Sequence, residues 1–219
     1  MKTAIKTLAL AAGLTLAPLA ADAQKTATSV LSTMPQELIP YINDDQRGEM
    51  SKFSIENDTV TIKNELNGTS TVTVINDDFA KIDLSKSAMI LIKLLPVSDT
   101  AKIICMVRTI KTPLPESDIR FYNTDWSPIK SKFNLPDLRN DDEMLAMLTQ
   151  RPDSMTETKF EELRSYIEPV IVSADIPDGG YKITLNLNIP FTTKEERKNI
   201  KAIIRQKSFK WNGKTFKMI

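Results

Sequence analysis

Three apolar stretches that follow one another in the middle of the chain constrain its fold more than any other feature. Only Lys93 interrupts the first stretch, and only Arg108 and Thr109 interrupt the second. Strands that are apolar on both faces belong in the middle of a sheet that has a covering layer on each side. We therefore predict adjacent antiparallel strands over residues 89–95, 103–110 and 119–123.

Two Asn-Gly pairs, beginning at Asn67 and Asn212, predict β-hairpins. Both central positions of a two-residue hairpin turn need positive φ, which Asn and Gly tolerate best. The first pair would turn a hairpin over residues 59–76. The second would turn a C-terminal hairpin and set Trp211 opposite Lys214.

The remaining elements follow from apolar periodicity and from capping residues. The helices are predicted within residues 34–53, 141–148, 157–167 and 193–204, and further strands over 79–84, 170–174 and 181–189. This order predicts the α+β class, with a mostly antiparallel β-sheet of meander and hairpins packed with several short helices.

The N-terminus has the pattern of a secretory signal peptide. Lys2 and Lys6 precede an apolar, Ala- and Leu-rich run over residues 7–20, and small residues stand at both positions that a signal peptidase reads in 21–23. We expect residues 1–23 to be removed by cleavage after Ala23. The alternative is a membrane anchor, but a spanning helix needs about 20 apolar residues.

The sequence divides into a few regions on this basis. Residues 24–33 are small and polar and predict a flexible lead. Residues 34–219 suit a single α+β domain, with two subdomains, 34–133 and 134–219, as the second interpretation. No later segment is long and apolar enough to span a membrane, so we expect an exported protein, periplasmic or extracellular.

The chain has no histidine and a single cysteine. These counts exclude Ser-His-Asp and Cys-His catalysis, His-ligated zinc and thiolate metal clusters. Cys105 lies among apolar strand residues and is expected to be a small buried core residue rather than a reactive thiol. We therefore expect no catalytic histidine or cysteine, no metal site and no cofactor.

The net charge and the pairs of acidic residues exclude few further classes of function. The whole chain has a formal net charge of +1, and removal of the signal peptide leaves it balanced, which argues against general nucleic-acid binding. Pairs of acidic residues could serve a glycosidase, which needs two carboxylates across a cleft. The alternative is structural, because acidic residues in the first turn of a helix interact favourably with the helix dipole. These pairs lie at 44–45, 77–78, 141–143 and 161–162.

Two groups of residues are candidates for binding. Tyr122, Asp125 and Trp126 belong to an aromatic and polar run at the end of the third central strand, where loops often carry contacts. A Trp that caps the core is the alternative interpretation of Trp126. Lys210 and Lys214 belong to a basic C-terminal hairpin, which could also meet an anionic surface.

Short motifs resemble those of a known family. The segments Leu-Leu-Pro-Val-Ser-Asp-Thr at 94–100, Ile-Ile-Cys-Met-Val-Arg-Thr-Ile at 103–110 and Phe-Tyr-Asn-Thr-Asp-Trp at 121–126 resemble the secreted Gram-negative proteins of domain of unknown function 3256. The similarity would cover about residues 34–219. It implies export and a single α+β module, and it brings no activity, ligand or site.

Three triplets match an O-glycosylation pattern of some Gram-negative anaerobes, in which Asp-Ser or Asp-Thr precedes an apolar residue. The hydroxyl residues are Thr59, Thr100 and Ser154.

Together these observations predict an exported, non-enzymatic binding module whose partner is an unknown protein or glycan of the cell envelope. The alternative is a periplasmic enzyme that acts on glycans with carboxylates alone.

Overall fold

The computed structural model of the chain describes residues 25–50, 59–189 and 193–219. The predicted signal peptide, 1–23, lies outside these residues, as do residues 51–53 of the second predicted N-terminal helix.

A seven-stranded antiparallel sheet forms the larger layer, and its strands pair in chain order as a meander. The strands are β1 Thr59–Lys63, β2 Thr69–Asn76, β3 Phe79–Ser85, β4 Ala88–Pro96, β5 Lys102–Ile110, β6 Glu116–Asn123 and β7 Pro128–Ile129. The three predicted central strands are β4, β5 and β6, in that order. Their prediction is confirmed, and β7 extends the sheet by one short strand.

A four-stranded antiparallel sheet forms the second layer, in the order β11-β10-β9-β8. Its strands are β8 Ile171–Asp175, β9 Lys182–Asn188, β10 Lys207–Trp211 and β11 Phe216–Met218. Strand β8 packs on β6 and β5, so the smaller sheet covers one face of the larger one.

Short helices complete the α+β fold, whose prediction is confirmed. They are α1 Ala27–Leu31, a 3-10 helix Gln36–Leu38, α2 Asp44–Met50, α3 Asp141–Leu148, α4 Glu157–Ser165 and α5 Lys194–Ile203. The capping box predicted before α5 is present, because Thr193 and Glu196 each bond the other's backbone N–H. In the same way Asn43 and Gln46 cap α2 at 3.0 and 2.9 Å.

The lead that was expected to be flexible over 24–33 contains helix α1, so that expectation is wrong. Thr26 and Ser29 form a capping box at the start of the helix. The helix buries its own residues Ala27, Val30 and Leu31. Burial of these apolar side chains stabilises the helix on the sheet. The small and polar composition of the segment gave no indication of this.

Both hairpins form, but neither has the expected two-residue turn. Lys63 pairs with Thr69, and the side chain of Asn64 closes a five-residue loop by accepting hydrogen bonds from the N–H groups of Leu66 and Gly68 at 3.1 and 3.0 Å. A buried asparagine that satisfies two loop amides competes with the tight turn.

At the C-terminus, Trp211 lies opposite Phe216 and not opposite Lys214. The side chain of Asn212 accepts from the N–H groups of Lys214 and Thr215, both at 2.9 Å, and so holds a longer loop. Gly213 has φ +94°, a conformation that glycine adopts without strain.

The core lies on both faces of the large sheet. Strand β5 shows the alternation: Cys105 and Val107 face the smaller sheet and helices α3–α5, whereas Ile104 and Met106 face α1 and the N-terminal segment. Ile90 and Ile92 of β4 belong to the second face and are fully buried. Cys105 is a buried core residue, and burial raises the pKa of its thiol.

Candidate functional site

The aromatic candidates lie in the core. Trp126 is 5% exposed and Tyr122 is 7% exposed, and their ring centroids are 5.5 Å apart. The indole Nε1 of Trp126 donates a 3.0 Å hydrogen bond to the carbonyl oxygen of Val30 in α1. Neither ring is available to a ligand at the surface, and the geometry fits the interpretation of Trp126 as a core-capping residue.

Asp125 is exposed and shapes the turn after β6. Its carboxylate accepts hydrogen bonds from the N–H and Oγ of Ser127 at 2.9 and 2.6 Å. These bonds hold the pKa of the carboxyl below its usual value. Turn formation accounts for the contacts of Asp125.

Lys210 and Lys214 are exposed on the C-terminal hairpin, and neither forms an ion pair within the described residues. The hairpin belongs to the smaller sheet and contributes to the core between the two sheets. Tyr122 belongs to the core on the opposite face of the larger sheet. The structure therefore does not bring the two groups of binding candidates together.

The three predicted O-glycosylation residues are all exposed. Thr59 is the first residue of β1, Thr100 lies in the turn between β4 and β5, and Ser154 precedes α4. Accessibility is what the modification requires, and the modification itself stays a prediction.

A concave surface lies along β6. Two contiguous hollows of about 330 and 400 Å³ share Ser117, Asp118, Leu138 and Arg139, and together we call them the β6 groove. These volumes are in the range of small-ligand sites. The first hollow is lined by Ser117–Phe121, Lys132 and Leu135–Arg139, and the second adds Arg108, Ile110, Glu116, Asp141, Val170 and Val172.

Two arginines pair with one carboxylate in this groove, and a third arginine lies on the neighbouring strand. Arg120 Nε lies 2.5 Å from Asp118 Oδ2, and Arg139 Nη2 lies 3.4 Å from Asp118 Oδ1. The hydrogen bond to Asp118 raises the pKa of Arg120. The third, Arg108, is the cross-strand neighbour of Asp118 in the β5–β6 ladder.

Arg108 has no side-chain partner among the residues that the structure describes. Although it lies opposite Asp118, it forms no ion pair or side-chain hydrogen bond with any residue in the described ranges, and its Nε is buried without a hydrogen-bond partner. A buried donor left unsatisfied costs about 1–3 kcal/mol. A guanidinium offers five donors in a planar fork that matches a carboxylate or phosphate. Arg108 is thus prepared chemically for an anionic group that enters the groove.

Two of the four carboxylates that line the groove, Asp118 and Asp137, are engaged with cations, and the other two are Glu116 and Asp141. Asp118 is held by two arginines, and Asp137 Oδ2 lies 2.6 Å from Lys132 Nζ. The hydrogen bond from Lys132 lowers the pKa of Asp137. A general acid needs a raised pKa, so neither residue has the environment of the proton donor of a glycosidase.

A second buried cation lies away from the groove. Lys93 is 3% exposed, its Nζ lies 5.2 and 5.3 Å from the ring centroids of Phe79 and Tyr181, and it donates to the carbonyl oxygen of Asp178 at 3.2 Å. Burial lowers its pKa. Because the Tyr181 hydroxyl also donates to Asp78 at 3.0 Å, these contacts fasten the smaller sheet to the larger one.

Sequence reasoning identified neither Arg108 nor Lys93 as a candidate. The available signal was the same for both, since each is a lone cation within an otherwise apolar strand. No three metal-ligating side chains cluster within the described residues, and no helix there combines the length and apolarity that crossing a bilayer requires.

Comparison with known proteins places the chain in a family. The family model described as "Protein of unknown function (DUF3256)" matches residues 19–216. The chain belongs to this family. No curated protein matches it.

A solved structure shares the fold of this family member. It is the structure of a domain of an uncharacterized protein from Porphyromonas gingivalis W83, with a TM-score of 0.72 and 19% identity. The similarity covers 87% of this chain and 97% of the other. At this identity the comparison supports the α+β architecture alone.

Proposed function

We propose that this protein is an exported binding module that holds an anionic group of an envelope protein or glycan in the β6 groove, with Arg108 as the principal contact. The observation that carries the proposal is that the guanidinium of Arg108 has no partner in the described part of the chain. Arg120 and Arg139 already pair with Asp118 beside it, so an incoming carboxylate or phosphate would take the donors of Arg108, in a groove whose lining balances four basic against four acidic residues. The signal-peptide pattern of 1–23 supports export.

The lack of a partner for Arg108 is what a binding role would require. A structural arginine gains by pairing with a carboxylate, and Asp118 is directly opposite. Within residues 25–50, 59–189 and 193–219, Arg108 instead bonds to no side chain and leaves a buried Nε unsatisfied. Natural proteins retain such locally unfavourable groups mainly at functional sites.

The alternative, a periplasmic enzyme that acts on glycans with carboxylates, has less support. Its requirement is a protonated acid facing a second carboxylate across a cleft. In the β6 groove, Asp118 and Asp137 are paired with cations instead.

Titration calorimetry with simple anions tests the proposal. The probes are capped triglutamate and trigalacturonate, each against a neutral counterpart, triglutamine and trigalactose. We expect one of the anionic probes to bind, more weakly at high salt, and Arg108→Gln to weaken it by at least about tenfold. The matched control is Lys210→Gln, which removes an exposed cation from the C-terminal hairpin and should change nothing.

A stability measurement accompanies the titration. Arg108→Met removes the unsatisfied donor and should raise the free energy of unfolding by about 1 kcal/mol. Equal weakening by the Arg108 and Lys210 variants, or no binding of either anion, would contradict the proposal.

A further inference from the structure

Strand β6 is an open edge over much of its length. On one side it pairs with β5 along all eight residues from Glu116 to Asn123. On the other side β7 pairs only with Phe121 and Tyr122. Residues 116–120 therefore pair with no strand on the side of the groove within the described residues, and the Ala174 N–H of β8 donates to Ser117 Oγ at 3.0 Å.

The backbone groups that face this open side can be identified. In an antiparallel strand the N–H and C=O of one residue point to the same side, and the side alternates along the chain. Asn123 points outward, because its N–H donates to the Ser127 carbonyl oxygen and its C=O accepts from the Trp126 N–H, both at 2.9 Å. By alternation, Ile119 and Ser117 also point outward, and their backbone groups make no bond to the segment across the groove within the described residues.

The groove lies directly over these free groups. Its first hollow runs from Ser117–Phe121 to the facing wall at Leu135–Arg139, with Lys132 beside it. Leu135 and Pro136 of the wall are buried, and Leu138 packs on the core. Proteins usually cover or block an open edge, because its unpaired N–H and C=O groups pair readily with another chain.

The charge of Arg108 lies near the open edge of β6. Asp118 shares a sheet face with Arg108, and a strand added beside β6 would bring every second side chain to that face. Arg108 lines the same hollow as Leu138 and Arg139 of the facing wall. A carboxylate on the added strand would meet it there.

We propose that the ligand of the β6 groove is an extended peptide segment that adds a strand to β6, pairing with the backbone of Ser117 and Ile119 and presenting an acidic side chain to Arg108. The inference rests on the proposed function and specifies its partner as a protein. A glycan could satisfy Arg108, but its hydroxyls do not repeat at the spacing of the free N–H and C=O groups. Main-chain pairing supplies affinity in this mode of recognition, and side-chain contacts supply specificity.

The test uses one capped peptide and its modified forms. The probe is Ac-Thr-Val-Thr-Glu-Thr-Val-Thr-NH2, together with versions that carry the Glu at each other position, and the control peptide carries Gln in place of Glu. Two further versions of the best binder are N-methylated at odd or at even positions, which removes the backbone donors of one edge only. Binding is measured by calorimetry and by the amide resonances of the ¹⁵N-labelled chain from residue 24 to 219.

Strand addition predicts a specific pattern. The Glu peptide should bind at least tenfold more tightly than the Gln peptide, and Arg108→Gln should abolish that difference. Only one of the two N-methylated peptides should lose at least tenfold in affinity. The amide resonances of Ser117 and Ile119 should shift more than those of Asp118 and Arg120.

The other outcomes separate the two proposals. If both N-methylated peptides bind as well as the parent while Arg108→Gln still weakens binding, strand addition is overturned and the anion site stands. Binding of trigalacturonate at Arg108 without any peptide binding identifies a glycan ligand and also overturns strand addition. Self-association of the chain in sedimentation, abolished by Ile119→Pro, assigns the edge to a second copy and overturns it too. No binding of any acidic probe overturns both proposals.

Discussion

The indole Nε1 of Trp126 lies 3.0 Å from the carbonyl oxygen of Val30, and this hydrogen bond joins the end of β6 to a helix 96 residues earlier in the chain. Val30 and its neighbour Leu31 are buried against the face of the sheet that contains Ile104 and Met106. The contact adds to the apolar burial that holds α1 on the sheet.

Replacement of Trp126 tests this attachment. Trp126→Phe keeps an aromatic ring but leaves the Val30 carbonyl without its partner, so the free energy of unfolding should fall by about 1–3 kcal/mol in urea titration. Tyr166→Phe is the control: this residue, 40% exposed, follows α4 as its C-cap, and loss of its exposed hydrogen bond to Glu162 should change the free energy of unfolding by less than about 0.5 kcal/mol. A Trp126 variant as stable as the control would show that α1 contributes nothing through this bond.

The two sheets should unfold together. The Nε1 of Trp211 donates to the carbonyl oxygen of Pro96 at 2.7 Å, and one core cluster contains side chains of both sheets. In Trp211→Phe the fluorescence reports Trp126, and in Trp126→Phe it reports Trp211. Leu185→Ala, at a fully buried position of β9, should cost about 2–5 kcal/mol and lower both midpoints equally. Separate transitions would instead support subdomains 34–133 and 134–219.

Asp83 should contribute stability that depends on pH. Burial alone would raise the pKa of its carboxyl, but hydrogen bonds from Lys111 at 2.7 Å and Lys81 at 2.8 Å outweigh burial and lower it. A lowered pKa in the folded state means that the unfolded chain takes up the proton first as pH falls. The stabilisation is therefore present above the unfolded pKa and is lost as pH falls through the folded value.

The measurement compares Asp83→Asn with the parent chain. At pH 7 the variant should be less stable by no more than about 1 kcal/mol, because the pairs are partly exposed. The difference should shrink toward zero between about pH 5 and pH 2. In a double-mutant cycle, Lys111→Gln should have little effect once Asp83 is Asn. A difference that stays constant with pH would contradict the assignment.

Cys105 should be inert in the folded protein. It is fully buried in β5, and burial raises the pKa of the thiol, so little thiolate forms at neutral pH. Labelling with an aromatic disulfide should proceed only as fast as the chain unfolds, and it should become immediate in denaturant. Rapid labelling of the native protein would mean that the core near Cys105 opens locally.

The intact mass of the protein recovered from the cell envelope or the medium tests the proposed export and processing. Cleavage after Ala23 gives a chain that begins at Gln24, and Ala23→Leu should block this cleavage because the peptidase reads a small residue there. Sugar at Thr59, Thr100 or Ser154 would add mass that the corresponding Ala variant loses. A mass that matches residues 24–219 with no addition would remove the glycosylation hypothesis, and an uncleaved secreted chain would remove the signal peptide.

Sequence periodicity determined the central sheet and most of the helices. The apolar runs of β4 and β5 could only be stable in the middle of a covered sheet, and the capping residues Thr193 and Asn43 marked where helices begin. These signals are local, because they depend on the period of apolar residues and on hydrogen bonds within four residues.

Only the tertiary structure decided which polar residues are satisfied. Asn64 and Asn212 accept loop amides and lengthen both hairpin turns, and Trp126 is buried because a helix far away in the chain supplies its acceptor. Arg108 is a candidate because Asp118, directly opposite, is already occupied by two other arginines. Whether a charge is paired depends on neighbours that are distant in the chain. The spacing of residues along one strand does not indicate which neighbours these are.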